Sequence, residues 1–166
     1  MSGRVPAPGG LALVEALVNT VDLESGADAL DTAEGRARLG VAERELAVAR
    51  ELRESLRVVC LAHAGHPPHR EVTPLQELLT AAPLLVTVSA EDGSATLSPA
   101  HPAPLASRVA AAIAEALVEG TWPRLKACEA PTCHWAYYDR SPAGRGRWCS
   151  MSVCGARAKM RRYRAK

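Results

Sequence analysis

No phenylalanine occurs among the 166 residues, and aromatics of all kinds make up only 4%. A core without large rings has to be built from Ala, Leu and Val, whose small volumes suit helices that approach one another closely. Long apolar runs are missing too. None reaches the roughly 18 residues of a bilayer-spanning helix, so no membrane partner is expected. The opening "MSGRVPAPGG" has one Arg, then Pro and Gly, and the short apolar run behind it is broken by Glu15 and Asn19. A secretory signal is therefore not expected, and the default address is cytoplasmic. Cysteine is scarce, five in all, yet four lie between 128 and 154. In a reducing compartment such a cluster binds metal more often than it cross-links.

The last shortage is of acid. Residues 121–166 hold eleven Lys and Arg against only Glu129 and Asp139, a net of +9, and nothing acidic follows Asp139. The 120 residues before them carry nine basic and sixteen acidic groups, a net of −7. This asymmetry suggests an anion-binding module on an acidic body. Pairing of the basic tail with its own acidic domain is the alternative.

What is present in the first 120 residues is mostly helical periodicity. Leu11, Val14, Leu17, Val18 and Val21 share a helical face. "DTAEGRARLG" offers a capping box at Asp31 and Glu34 and a stop at Gly40. In the long stretch from Val41 to Gly65, Leu46, Ala49, Leu52, Leu56, Val59 and His63 form one stripe, with Glu43, Arg50, Glu54 and Arg57 mostly on other faces. "HPPHREVTP" breaks it, and Pro74 opens a short helix through Leu78 and Leu79. "LLVTVSA" and "SATLSP" around Glu91-Asp92-Gly93 read as a hairpin. Leu105, Val109, Ile113 and Leu117 mark a further helix ended by Gly120. The sequence thus divides into a mainly helical domain with one small β-hairpin, residues 1–120, and a second unit, residues 121–166, joined near Trp122-Pro123.

The second unit is organised by Cys128-x4-Cys133-x15-Cys149-x4-Cys154. Two short-range pairs joined by a longer loop supply four thiolates for one tetrahedral zinc ion. About 40 residues bury too little to fold alone, and ligation would stabilise them. Two disulfides are the structural alternative, and His134 is a second-choice ligand. The residues between the pairs, "HWAYYDRSPAGRGRWC", read as a small hairpin turning at "DRSPAGRG". Ser150 or Ser152 can cap a terminal helix through "VCGARAKMRRYR". Its Val153, Ala156, Met160 and Tyr163 would pack on that hairpin. Arg157, Arg161 and Arg164 line one flank, and Lys159, Arg162 and Lys166 the other.

"RLKACEAPTCHWAYYDRSPAGRGRWCSMSVCGARAKMRRYR" closely resembles the CGNR-type zinc finger of bacterial proteins. The resemblance lies in Arg-Leu-Lys before the first Cys, the Asp-Arg-Ser turn, the Arg-Trp-Cys-Ser-Met run and Arg-Ala-Lys beyond the last Cys. One residue departs: Ala156 stands where the family name has Asn, which removes a helix-start hydrogen bond. "LALVEALVNTVD" and "ARELRESLR" are similar, more loosely, to the domain that precedes this finger, a stress-induced transcription regulator domain. The resemblance implies one zinc ion held by Cys128, Cys133, Cys149 and Cys154, and a DNA-binding role in transcriptional control.

Other motifs carry less. Asn19 near a helix end has to find partners: it could cap, contact a ligand or bond to a neighbouring helix, and it reads as structural. His63, His66 and His69 lie at a helix end and in a proline-rich loop, and read as solvated rather than as a metal cluster. Cys60 reads as a small buried apolar residue. No phosphate-cradling loop, nucleophile elbow or paired-carboxylate signature is present, and four thiolates leave zinc no open position, so an enzyme is not expected. The combined expectation is a zinc-finger regulator whose partner is DNA. Arg145, Arg147, Arg157, Lys159, Arg161, Arg162 and Arg164 would contact phosphates. The N-terminal domain would sense a small-molecule effector or form a homodimer. A zinc-stabilised protein-interaction module is the rival reading.

Overall fold

The structure, a computed structural model of the chain, describes residues 5–165; residues 1–4 of the opening segment and Lys166, assigned above to a helix flank, lie outside them. Helix α1 (Leu11–Val18) buries Leu11, Val14, Leu17 and Val18. It stops short of the predicted Val21, which instead bridges Asp28. Thr20 Oγ1 donates back to the Leu17 carbonyl (2.8 Å), and Asn19 leaves the helix as its cap. Helix α2 (Ala33–Leu39) is capped by Thr32, whose Oγ1 accepts the Gly35 N–H at 3.0 Å, rather than by Asp31 and Glu34. Asp31 pairs with Arg50 (2.5 Å) instead. Gly40 closes α2 in the left-handed region, as expected.

Helix α3 (Leu46–His63) follows a 3-10 turn and is the spine of the molecule. Its apolar stripe is buried as predicted at Ala49, Leu52 and Leu56, but Arg53, Glu54 and Arg57 are buried as well. A charged face beside the apolar stripe is thus inside as well. Arg53 meets Asp28 (2.6 Å) and Thr20 (3.1 Å) of the body, and Arg57 is held partly by the C-terminal segment, described below. After the short α4 (Leu75–Leu78), strands β1 (Leu84–Val88) and β2 (Ala95–Pro99) form the expected antiparallel hairpin, with Val86 opposite Leu97. Helix α5 (Leu105–Val118) buries Leu105, Val109, Ala112 and Ala116. Leu117, one residue past that stripe, is 59% exposed.

The core lies among α1, α3 and α5, and it continues into the C-terminal segment. Strands β3 (Leu125–Ala127) and β4 (Ala136–Tyr138) pair antiparallel, with β3 against α3 and β4 against α1. This hairpin differs from the predicted one. Aromatic-rich β4 pairs with residues before the first cysteine, not with residues after the turn, so the hairpin encloses the Cys128–Cys133 loop. The chain ends in α6 (Ala156–Arg164). No helix among the described residues is long and apolar enough to cross a membrane.

Candidate metal centre and basic helix

Each half of the cysteine set is delivered by a local backbone device. At the end of β3 the Cys128 N–H donates to the Trp135 carbonyl (2.9 Å), and the Cys133 N–H closes a turn onto Ala130 (2.9 Å). His134 follows in a left-handed conformation (φ 45°), with its Nδ1 on the Cys128 carbonyl (3.0 Å). That bond turns the ring to backbone, so the metal candidates among the described residues are the four cysteines without His134. The second half is a π-helical turn, Met151–Gly155, capped by Ser150 Oγ accepting the Val153 N–H (3.3 Å). It presents Cys154 and runs directly into α6. Ser150 therefore supplies the helix-start bond, and Ala156 is exposed.

The four sulfurs lie within 4.8 Å of one another. Cys133 and Cys149 are 3.6 Å apart, and Cys149 and Cys154 3.7 Å apart. Sulfurs placed about 2.3 Å from a zinc ion at tetrahedral angles stand about 3.8 Å apart. All four cysteines are free thiols, which sets the two-disulfide alternative aside. Cys128 and Cys154 are buried, while Cys133 and Cys149 are half-buried beside Trp148 and Ala130. Thiol hydrogen bonds from Cys133 and Cys149 hold Cys128 well below the usual thiol range. Its neighbours rise: Cys133 by donating to Cys128, to about 12; Cys149 by the same kind of bond; and Cys154 by burial and the Cys128 charge. A set that accepts one negative charge and resists the next is matched by a cation at its centre. The donor set and its spacing fit one zinc ion.

Below the sulfurs, Asp139 organises the "DRSPAGRG" loop. Its Oδ1 accepts from the Ser141 N–H (3.0 Å) and hydroxyl (2.7 Å), and its Oδ2 from Lys126 Nζ (2.9 Å) and the Gly146 N–H (2.8 Å). Burial pushes this carboxyl up, and the Ser141 and Lys126 bonds outweigh it, leaving Asp139 far below the ordinary range. A Cβ on Gly146 would stand 2.8 Å from Asp139 Oδ1, so only glycine lets the loop close there.

The hairpin is fastened to the helical body by polar contacts that sequence reading only partly anticipated. Asn19 pairs with β4 like a short strand: its Nδ2 donates to the Ala136 carbonyl (3.0 Å), and its Oδ1 accepts the Ala136 N–H (2.7 Å). Arg57, fully buried, donates to the His134 carbonyl (2.8 Å) and to the Val18 carbonyl at the end of α1 (2.7 Å). Its charge is met by Glu54 (3.2 Å), which also binds Arg53 (2.8 Å) and His69 (3.0 Å). Burial raises the Glu54 carboxyl, and the Arg57 and Arg53 charges bring it below its usual value. His63 meets the Leu125 carbonyl (2.8 Å) and packs edge-on against Trp122. His63, held by the hairpin, and His69, held by Glu54, are thus half-buried against protein groups rather than solvated. Asn19 was visible as an interruption of an apolar run; nothing in the local pattern marked Arg57.

The cations predicted to face a polyanion are distributed unevenly. Helix α6 has no buried residue. Met160 is 51% and Tyr163 78% exposed, so the apolar stripe does not pack on the hairpin. Both sides of β3–β4 are already occupied, by α1 and α3 and by its own loop. Arg161 lies between two shallow clefts. One is shared with Arg157 and Arg164 beside Met160, the other with Arg147 and Arg162 beside Trp148. Two of the seven cations are paired: Arg147 bidentately with Glu129 (2.5 Å), and Arg157 with Glu24 of the body (2.9 Å). Arg145, Lys159, Arg161, Arg162 and Arg164 have no ion pair among the described residues. Arg145 and Lys159 lie outside both clefts.

Residues 11–120, well over half of the chain, match the ABATE family model, described as "Putative stress-induced transcription regulator". The chain belongs to the ABATE family. In this ABATE protein the second match, to the CGNR zinc finger, covers residues 124–166, so it begins just before β3 and includes all four clustered cysteines. Among curated proteins none matches it.

Proposed function

We propose that this ABATE protein is a cytoplasmic bacterial transcription regulator that binds duplex DNA through its zinc-held C-terminal helix. The observation that supports it is α6 itself. Nine residues long, about 13 Å at 1.5 Å per residue, it starts at the zinc-ligand turn, buries nothing and carries unpaired arginines. A major groove about 12 Å wide admits a helix of that kind, and the arginines flanking it reach phosphates. Arg161, Arg162 and Arg164 are the leading contacts, joined by Arg145 and Lys159. Arg147 and Arg157 would first exchange their carboxylate partners. In this reading the metal is structural, because four sulfurs fill a tetrahedral shell, and the protein is not an enzyme. The helical body supplies the regulatory input, through an effector or through a second copy.

Fluorescence anisotropy of the zinc-loaded protein with a duplex probe tests the reading. Affinity should fall steeply as salt rises, and Arg161→Glu with Arg162→Glu should weaken binding about tenfold or more at low salt without changing the melting temperature. No binding at low salt would refute it. Binding by an acidic protein surface in place of DNA would favour the interaction-module reading.

A further inference from the structure

A groove of about 890 Å³ runs between the β1–β2 hairpin and α5. It exists because the side chains that could fill it are small. Helix α5 presents Ala111 and Ala112 as its floor, and the chain has no phenylalanine to occupy the gap. The start of α1 closes one wall so tightly that a Cβ on Gly10 would stand 2.7 Å from the Ala112 Cβ. On the other wall Val86 and Leu97, cross-strand partners, present one apolar face. Val86 remains 68% exposed, and Val118 at the end of α5 80%. Apolar surface left in water around a concavity of this size is the usual make-up of a small-molecule site.

Charge decides which small molecule. Arg108, Glu115 and Glu119 are the charged side chains on the lining. Arg108 is committed: its Nη1 donates to the Leu39 carbonyl (2.9 Å) and its Nη2 to the Gly40 carbonyl (2.8 Å), at the end of α2. Glu115 accepts the Gly10 N–H (3.2 Å). Neither Glu115 nor Glu119 is paired with a cation among the described residues. They lie one helical turn apart at one end of the groove, and about seven residues, or about 10 Å, separate Glu115 from Arg108. The groove is therefore an apolar trough with an uncompensated anionic mouth.

We propose that this groove is a binding site for a lipophilic monocation, with an apolar, drug-sized body in the trough and a cationic centre facing Glu115 and Glu119. A neutral guest would leave both carboxylates unmatched, and an anionic guest would be repelled by them. The site's role as the effector input rests on the regulator reading; its affinity for the cation does not.

Tetraphenylphosphonium, titrated calorimetrically into the zinc-loaded full chain, is a suitable probe, because tetraphenylborate has the same shape and the opposite charge. The phosphonium should bind once per chain. The double variant Glu115→Gln, Glu119→Gln should bind it roughly tenfold more weakly, as expected for two exposed charge pairs. The amide oxygen introduced by Glu115→Gln can still accept the Gly10 N–H, so the fold is kept. Ala111→Trp, which fills the floor, should abolish binding, with an unchanged circular-dichroism spectrum showing that the variant folds. The borate should bind more weakly than the phosphonium and should not lose affinity in the double variant. Absence of phosphonium binding, or equal binding by the double variant, would overturn the proposal. So would light scattering that shows a dimer dissolved by Ala111→Trp, since a second copy would then fill the groove. DNA anisotropy on the same sample keeps the two readings apart: lost phosphonium binding with intact DNA binding removes only the groove assignment, and the reverse removes only the regulator reading.

Discussion

The two sides of the cysteine centre are built differently. On one side, β3–β4 lies in the main core, every residue of β3 is buried, and Asn19, Arg57 and His63 bind its backbone from three places on the body. On the other side, α6 buries no residue, and among the described residues its ion pair to the body is an exposed one, Arg157 to Glu24. A single ion between them would therefore join a fixed half to a presented half. The lesson concerns division of labour: the body supports the hairpin, the hairpin supports the sulfurs, and the sulfurs are what remains to orient the helix.

Removing the metal should break this contrast most severely. Structural zinc in small fingers is worth on the order of 10 kcal/mol. Hydrogen exchange after chelation should show residues 149–165 losing protection almost completely. Amides of 125–127 and 136–138 should keep part of theirs, because α1 and α3 still hold them. Equal loss on both sides would mean that the hairpin also depends on the ion.

The opposite side is broken by Arg57→Met. Glu54 then loses a buried partner, and the Val18 and His134 carbonyls lose their donor, a cost of about 3 kcal/mol in chemical denaturation. Zinc should still bind, since no ligand is touched. Ser150→Ala, which removes the cap of the π turn, should cost about 1 kcal/mol and raise exchange within α6 while leaving β3–β4 unchanged.

The smallest effect is on pH. Burial holds His63 below its ordinary value of 6.5, more strongly than the Leu125 carbonyl raises it. The unfolded chain therefore binds the proton first, and the stability contributed by neutral His63 is present above that value and is lost as pH falls below it. The melting temperature should drop modestly between about pH 7.5 and about pH 6, and less so in His63→Phe. A steeper drop in the variant would contradict this assignment.

How much of this could be read from sequence follows from how local each cause is. The cysteine spacing announced the metal centre because ligation depends on residue type and short separations, both visible in the string. Helices α1, α3 and α5 were legible from periodicity. The hairpin partner of β4 was not, because Leu125–Ala127 is three residues long and reads as an approach to Cys128. The burial of Arg53, Glu54 and Arg57 was not legible because charged residues ordinarily face water; here orphan carbonyls at the end of α1 and at His134 make a buried guanidinium worth keeping. The apolar stripe of α6 was assigned a partner that the fold had already given to α1 and α3.

The π turn at Met151–Gly155 carries one more consequence. Because α6 grows out of it without a joint, the last cysteine sets the helix's rotational phase as well as its direction. Each residue inserted or deleted between Gly155 and Met160 would turn Met160, Arg161 and Arg164 by about 100° around the axis. If the residue gained or lost is an alanine, the net charge and all four thiols are unchanged, yet another face would be presented outward. Spacing in this segment is in effect an angle, and the chain has as little freedom there as between the cysteines themselves.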